Sequence, residues 1–362
     1  MRRSVKKLFL YIDSMQFGGA QRVMNNIGSY FVENSYEVTL INDIVPDPNA
    51  PEYEIDPRIH RVYLDEGNEE GKKTKNFYRI GKLRKYIKQH QPQVVLSFLG
   101  PPNIRMLIAT IGLKIKKYVS VRNDPYREYG NGLHKIIANM VFCLADGCVF
   151  QTRDASMYFS KAVRKKSRII VNPVNEKFYC IAWTGEKKEI AVVGRLQPQK
   201  NPLLALNAFA KVAREFPEYK LVYYGDEDLK SEIIDKSNEY GIENQVVVYG
   251  KASDIETKLA TSTIFLLSSD YEGMPNALLE AMAVGIPVIS TDCPCGGPRT
   301  VIENANQGIL VPVGDAEKMA VALRKLLMNR EIRLHMHREE RERAKEFRFE
   351  KIMLEWKQYI EA

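Results

Sequence analysis

The sequence predicts an α/β protein built from two doubly wound domains. Three observations lead there. Short apolar strands alternate with helical stretches along most of the chain, a pattern that gives parallel sheets covered on both faces. About twelve such strands are too many for one small doubly wound sheet and suit two of about six each. The length of 362 residues is also long for one core and fits two domains.

Taken in order, the first half offers strands at Leu8–Ile12, Glu37–Ile41, Val94–Phe98, Tyr118–Val121, Gly147–Gln151 and Ile169–Val171. The second half offers Glu189–Val193, Lys220–Tyr224, Val246–Tyr249, Ile264–Leu267, Pro287–Ser290 and Gly308–Val311. Between them, stretches such as Gln21–Glu33, Asn201–Glu215 and Ala316–Arg330 carry apolar residues at helical spacing. The seam falls after Val171-Asn-Pro-Val174, where Asn-Pro breaks regular structure, and Glu189 begins a fresh strand after the polar Ala182–Lys188 stretch. This divides the chain into domains 1–174 and 175–345. A last amphipathic helix, roughly Lys351–Ile360 within segment 346–362, has a return to the first domain as one option. Domains of this kind are expected to face each other across a cleft lined by loops at the strand C-termini.

Composition is globular, 45% hydrophobic and 27% charged, without collagen-like, disordered or repeat signatures. Five cysteines (Cys143, Cys148, Cys180, Cys293 and Cys295) form an odd, unpatterned set, which points to a reducing compartment and against a disulfide framework. Cys293-Pro-Cys295 is too closely spaced for metal ligands and reads as a structural turn. At the start, the apolar Leu8–Ile12 is too short for a signal peptide and ends at Asp13, so a basic run leads into a first buried strand. No window approaches 18 apolar residues, so no membrane span is expected.

Charge is unevenly shared. Residues 1–175 hold 28 Lys+Arg against 16 Asp+Glu, whereas the remainder holds 25 against 29. The excess gathers in Lys72–Lys88, Lys114–Lys117 and Lys161–Arg168. These are either solvated helix faces or a surface for anionic headgroups or an anionic acceptor, worth about 1 kcal/mol per basic side chain near such a membrane. No recognition motif supports nucleic acid.

Four short stretches are candidates for chemistry. Gly18-Gly19-Ala-Gln-Arg22 follows the first strand and opens a helix, where backbone can approach an anion. It lacks the Gly-x-Gly-x-x-Gly spacing, and a plain tight turn stays open. Gly194-Arg-Leu-Gln-Pro-Gln-Lys200 puts Arg195 and Lys200 in one loop, able to close on a diphosphate or simply be solvated. Tyr224-Gly-Asp-Glu-Asp228 reads as a turn with helix-capping carboxylates rather than a metal site.

The fourth is Tyr271–Gly285. From Gly273 to Thr291 its only formal charge is Glu280, in an apolar run where an unpartnered charge costs several kcal/mol. Pro275 suits the first position of a helix ending near Val284, with Glu272 in the loop ahead. Backbone N–H groups near Met274, Asn276 and Ala277 would face an anion at the helix tip. Carboxylates repel phosphate but accept from hydroxyls, and a nucleotide sugar carries hydroxyls on both sides of its diphosphate. Glu280 then suits the ribose and Glu272 the sugar, with two locally paired structural glutamates as the alternative.

In these motifs the chain resembles the retaining glycosyltransferases of family four, which have the two-domain GT-B fold. The resemblance runs through FGGAQR, ADGCVFQTRDA, VNPV, VGRLQPQKN, LVYYGDE, VYG and SSDYEGMPNALLEAMAVGIPVISTD. It implies Arg195 and Lys200 on the donor diphosphate, Glu272 on the donor sugar and Glu280 on the ribose, with Gly273 in the same donor loop. Gly18 and Gly19 would lie beside the diphosphate, and Tyr249, Gly250 and Lys251 match the stretch at the nucleobase. Many members place a histidine in a loop of the first domain. Here that loop reads Ser120-Val-Arg-Asn-Asp-Pro125, so the role would pass to Arg122 or Asn123, while His134 reads as structural. Gly225-Asp-Glu also replaces the usual Gly-x-Gly.

The implied reaction moves a hexose or N-acetylhexosamine from a UDP-sugar to a saccharide acceptor with retention, without a metal or other cofactor. Same-face attack is favoured, with the leaving phosphate taking the acceptor proton. A polyprenyl-diphosphate-linked acceptor, in bacterial surface-glycan assembly, suits a cytoplasmic enzyme held at the inner face of the membrane by its basic first half. A nucleotide-sugar 2-epimerase of the same architecture and a non-catalytic sugar-nucleotide-binding protein remain as rivals.

Overall fold

The computed structural model describes residues 6–16, 18–46, 52–65, 72–225 and 228–362. They form two compact units, Met1–Asn172 with Ile352–Ala362, and Pro173–Lys351.

The first unit is a seven-stranded parallel sheet. Its strands are β1 (Lys7–Ile12), β2 (Glu37–Ile44), β3 (His60–Asp65), β4 (Val94–Phe98), β5 (Lys116–Val121), β6 (Gly147–Phe150) and β7 (Ser167–Ile169). They lie in the order β3-β2-β1-β4-β5-β6-β7. The crossovers use α1 (Gly19–Glu33), α2 (Lys72–His90), α3 (Gly100–Ala109), α4 (Pro125–Tyr129), α5 (Leu133–Phe142), α6 (Arg153–Met157) and α7 (Lys161–Arg164). The central strands are near-continuous apolar runs because helices cover both faces, and Phe9, Tyr11, Val119 and Phe150 meet in the core.

The second unit has a six-stranded sheet in the order β10-β9-β8-β11-β12-β13. Its strands are β8 (Glu189–Val193), β9 (Lys220–Tyr224), β10 (Val246–Gly250), β11 (Ile264–Leu267), β12 (Val288–Thr291) and β13 (Ile309–Val311). Its helices are α8 (Pro202–Ala210), α9 (Lys230–Tyr240), α10 (Ile255–Thr261), α11 (Asn276–Val284), α12 (Gly297–Val301), α13 (Ala316–Met328) and α14 (Arg330–Ala344). The last helix, α15 (Phe349–Glu361), joins the first unit from Ile352 onward. Trp356 is fully buried with its ring centroid 5.8 Å from that of Phe98, and the Tyr359 hydroxyl accepts from Cys148 N at 2.9 Å.

Strand order reverses between β1 and β4 in one sheet and between β8 and β11 in the other. Loops leaving the C-terminal ends of such strands diverge and open a crevice, so ligand sites belong there.

Some expectations shift. Strand β3 (sequence HRVYLD) is an additional edge strand whose burial rises only toward Leu64 and Asp65, so no apolar run announced it. Strand β7 pairs two residues earlier than Ile169–Val171, in register Cys148↔Ser167 through Phe150↔Ile169. Helix α8 stops at Ala210, and tighter bonds such as Val212 N to Phe209 O (2.9 Å) carry the chain onward. Two cations of the basic run at Lys72–Lys88 turn inward. Arg79 approaches Asp65 (3.4 Å) and Asp43 (3.8 Å), and Arg84 donates to the carbonyls of Ala109 (2.7 Å) and Ile111 (2.8 Å). Among the described residues no helix is long and apolar enough to cross a membrane.

Candidate active site

In the second unit, three strands end on glycines pressed backbone to backbone. Gly194 N donates to Tyr224 O and Gly225 N to Gly250 O, both at 2.9 Å. A Cβ on Gly225 would lie 1.8 Å from Gly194 O, so only glycine fits there without moving a strand end. Beyond this shelf, Leu196 is buried and anchors the loop, while Arg195 is exposed.

At the switch point, the loops after β8 and β11 are stitched together. Asn201 Nδ2 donates to Asp270 Oδ1 (2.8 Å), Asp270 N to Gln199 O (2.9 Å), Gln199 Nε2 to Tyr271 O (3.0 Å) and Ser268 Oγ to Lys200 O (3.0 Å). The stitching brings Lys200 Nζ to 2.5 Å from Glu272 Oε1, which also accepts from Ser269 Oγ at 2.7 Å. Glu272 is only 5% exposed. Ser269 is fixed in turn, its carbonyl accepting from Thr291 Oγ1 (2.6 Å) and Cys293 Sγ (3.1 Å). Burial pushes the Cys293 thiol up to about 12, so it serves as a neutral donor. The segment Pro294–Gly296 is a 3-10 turn, the role read for it from spacing.

Lys200 therefore meets a buried carboxylate, not open solvent. The two charges compensate each other, which lets Glu272 stay close to the fold's interior. Glu280 lies within α11 and is 6% exposed. Pro275 sits one residue earlier than expected, as the extended N-cap (φ −76°, ψ 107°), and α11 begins at Asn276. No side chain caps this terminus and its first turn holds no acidic residue, which keeps its dipole available to an anion. Gly273 and Met274 precede it, with Met274 buried, and Ala277 lies in the first turn.

At the end of β10, Tyr249 is 51% exposed with its ring 5.2 Å from that of Tyr224. Lys258 Nζ lies 4.9 Å from its centroid, Gly250 takes φ +87°, and Lys251 is exposed. This is a half-open aromatic shelf. Of the Tyr224–Asp228 stretch, Asp226 and Glu227 lie outside the described residues, and Asp228 accepts from Gln197 Nε2 at 2.8 Å.

In the first unit, Gly18 caps α1 in extended conformation (φ −170°), and Gly19 is the exposed first residue of the helix. A Cβ on Gly18 would meet only the flexible Gln21 Oε1 at 2.3 Å within 3 Å. Arg122 is 7% exposed, donating to Asn172 Oδ1 and, at 3.4 Å, to Ser120 Oγ, with its guanidinium 4.7 Å from the Phe98 centroid. Asn123 Oδ1 accepts from Asp124 N at 2.9 Å. Of the two residues expected to replace a histidine, Arg122 is thus tied to Asn172 beyond β7 and Asn123 to its own loop. His134 lies in the first turn of α5, exposed.

A Glycosyltransferase Family 4 model matches residues 17–178, and a Glycosyl transferases group 1 model matches residues 176–343. The chain is a glycosyltransferase. A similar protein is an N-acetyl-D-galactosaminyltransferase of Campylobacter jejuni, named for an undecaprenol-diphosphate-linked saccharide, 24% identical and aligned over 98% of each chain. An Escherichia coli galactosyltransferase, named for UDP-Gal and a diphosphoundecaprenol-linked GlcNAc, is 30% identical over 44% of each chain. Among solved structures, the lipopolysaccharide outer core galactosyltransferase WaaB superposes with TM-score 0.76 at 20% identity, covering 98% of this chain and 99% of that one. HepE of Anabaena in complex with UDP gives 0.81 at 16% identity, covering 99% and 100%. These likenesses show that the glycosyltransferase has the two-domain α/β GT-B fold.

One residue of the glycosyltransferase escaped sequence reasoning. Glu128 in α4 accepts from Gly100 N at 2.7 Å, at the start of α3, just after Leu99 in a left-handed conformation (φ +72°). Its Oε2 is buried without a hydrogen-bond partner among the described residues. Burial pushes its carboxyl up to about 7; the Gly100 N–H and Arg122 oppose this, while Asp13 and Asp124 add to it. Burial also lowers Arg122 to about 9, with Glu128 opposing. In sequence, Glu128 four residues after Asp124 looks like an ordinary acidic first turn, and nothing local signals the distant Gly100.

The sign of its effect on stability is fixed. The folded carboxyl binds its proton more tightly than the unfolded one, so the contribution of Glu128 to stability is greatest below about pH 4.5 and declines up to about pH 7. We expect Glu128→Gln to flatten this decline, by about 1–3 kcal/mol. Melting curves of both proteins from about pH 5 to about pH 8 check it; parallel pH profiles would refute it.

Proposed function

We propose that the glycosyltransferase moves a hexose or N-acetylhexosamine from a UDP-sugar to a polyprenyl-diphosphate-linked saccharide, with retention, at the inner face of a bacterial membrane. The observation that carries this reading is the Lys200–Glu272 pair at the switch point of the second sheet, beside the loop that leads into α11. Arg195, Lys200 and the tip of α11 stabilise the diphosphate as the bond from sugar C1 to phosphate oxygen breaks. Glu272 accepts from hydroxyls of the sugar and Glu280 from those of the ribose. The exposed Tyr249 ring, with Gly250 and Lys251, supports the uracil. The acceptor oxygen attacks C1 on the face the phosphate leaves, and its proton goes to that phosphate. The cations and the helix dipole supply the charge, so no metal is needed. The relatives' names support the lipid-linked acceptor, which the first unit would bind.

The test is thermal unfolding against UDP-, GDP- and ADP-sugars, with UDP release followed with and without EDTA. Ligand at 100 times Kd adds about 2.7 kcal/mol, which raises the melting point by several degrees. A shift with one UDP-sugar, insensitive to EDTA and lost in Glu280→Ala, is the expected result. A shift that survives Glu280→Ala would remove the ribose role, and sugar conversion without UDP release would mean an epimerase.

A further inference from the structure

Helix α5 carries an apolar stripe that points to solvent. Leu133 is 68% exposed, Ile136 57%, Ile137 44%, Met140 60% and Leu144, just past the helix, 39%. At 3.6 residues per turn these five fall within about 100° of arc. The other face is committed, with Ala138 and Phe142 buried in the core, so the stripe cannot turn inward. A patch of this continuity on a chain's surface marks a docking site.

The surroundings of the stripe decide what docks. Ser160 N donates to Asn139 Oδ1 at 2.5 Å and Lys166 Nζ to Cys143 O at 2.8 Å, which lays the α7 segment along the edge of α5. There Lys161, Lys165 and Arg168 are exposed, and Arg164 reaches the half-exposed Met157. Lys135 lies over the rings of Tyr126 and Tyr158. No Asp or Glu occurs between Asn131 and Ala145 or between Ala155 and Asn175. An apolar centre with a predominantly cationic edge, Asp146 and Asp154 being the exposed carboxylates at its ends, complements an anionic interface. Pairing of two copies through this stripe would instead bring the like-charged edges together.

We propose that the α5 stripe and the basic α7 segment form a membrane-docking face, the apolar side chains entering the headgroup boundary of an anionic bilayer while Lys161 and Lys165 meet lipid phosphates. This deepens the lipid-linked acceptor reading and rests on it for its purpose. It also divides labour in the basic first unit, since Arg79 and Arg84 are spent on the fold whereas Lys161 and Lys165 stand exposed.

The test is co-sedimentation of the full chain with vesicles of phosphatidylglycerol and phosphatidylcholine in equal parts, and with phosphatidylcholine alone. Binding to the anionic vesicles is expected, reduced at least about tenfold by Ile136→Ser with Met140→Ser. Lys161→Glu with Lys165→Glu should also reduce it, and the remaining binding should be less sensitive to salt. Val321→Ser, at an apolar position 60% exposed in the second unit, should leave binding unchanged. Melting curves of each variant confirm that it folds. The proposal is overturned if the α5 variant binds vesicles like the parent chain, if no vesicles are bound, or if light scattering shows a dimer that the α5 variant loses. A UDP-sugar melting shift without vesicle binding would sink this face alone. Vesicle binding with no response to any nucleotide sugar would sink the donor reading and leave the face standing.

Discussion

Lys200→Ala is expected to lower UDP-sugar turnover by about 10²–10³-fold. The figure is that for removing one preorganised group aimed at charge that develops in the transition state. In this chain the substitution has a second effect. It strands the Glu272 carboxylate, whose side chain is 7% exposed, with Ser269 Oγ as its remaining partner in that contact. Breaking a fully buried pair costs about 3–5 kcal/mol. Lys200 is 25% exposed, so water can partly replace it and the cost falls toward the lower end or below. The two effects separate in a cycle with Glu272→Gln. The double variant should recover melting point relative to Lys200→Ala in either case, so turnover is compared with Glu272→Gln alone, which already lacks the sugar contact. If Lys200 only balances Glu272, the double variant should turn over like Glu272→Gln; if Lys200 acts on the diphosphate, it should fall a further factor of about 10²–10³ below Glu272→Gln. UDP release and melting curves on the four proteins give the answer, and near-full turnover by Lys200→Ala would remove Lys200 from the chemistry.

What sequence made legible is what lies within one strand-loop-helix unit. The strands β8, β9 and β11 stand where their apolar runs put them, because a parallel strand buried on both faces writes itself as such a run. Helix α11 ends at Val284 with Gly285 at φ +82°, as the Gly-x-Pro that follows foretold. Edge strand β3 was not legible, since it is buried on neither face along most of its length. Nor was the pairing of Lys200 with Glu272, which are 72 positions apart and were assigned to different ligand groups. Arg79 and Arg84 looked like members of an outward-facing basic run, solvated or turned to an anionic surface, because composition does not reveal which way a helix face points. Glu128 was missed for the same reason as the glycine contacts. Its significance comes from Gly100, 28 residues away, and no local pattern carries that information.

Gly297→Ala shows how far such a hidden contact should reach. Gly297 has ordinary helical dihedrals (φ −55°, ψ −59°), so alanine brings no backbone strain. The obstacle is steric. A Cβ there would lie 2.0 Å from Gly273 O, 3.0 Å from Gly273 C and 3.1 Å from Pro275 Cδ. None of these is the end of a flexible side chain; two are backbone and one is a proline ring. The segment between Glu272 and α11 must therefore move by about 1 Å to restore a van der Waals contact. Overpacking of this kind costs about 1–3 kcal/mol, or several degrees of melting temperature in a unit of this size. A misplacement of about 1 Å at a positioning element can cost 10²-fold in rate, and the displaced segment carries both Glu272 and the tip of α11. We therefore expect Gly297→Ala to fold with a lowered melting point and to lose most of its UDP-sugar response, although Gly297 is assigned no contact with substrate. Gly81→Ala, in the middle of α2 with nothing within 4 Å of the added methyl, is the matched control and should be neutral or slightly stabilising. Measuring melting point and UDP release on both variants decides the matter. If Gly297→Ala keeps its donor response while its melting point falls, then the exact seat of the Gly273–Pro275 segment is not what positions the donor, and the weight of the site shifts to the Lys200–Glu272 pair alone.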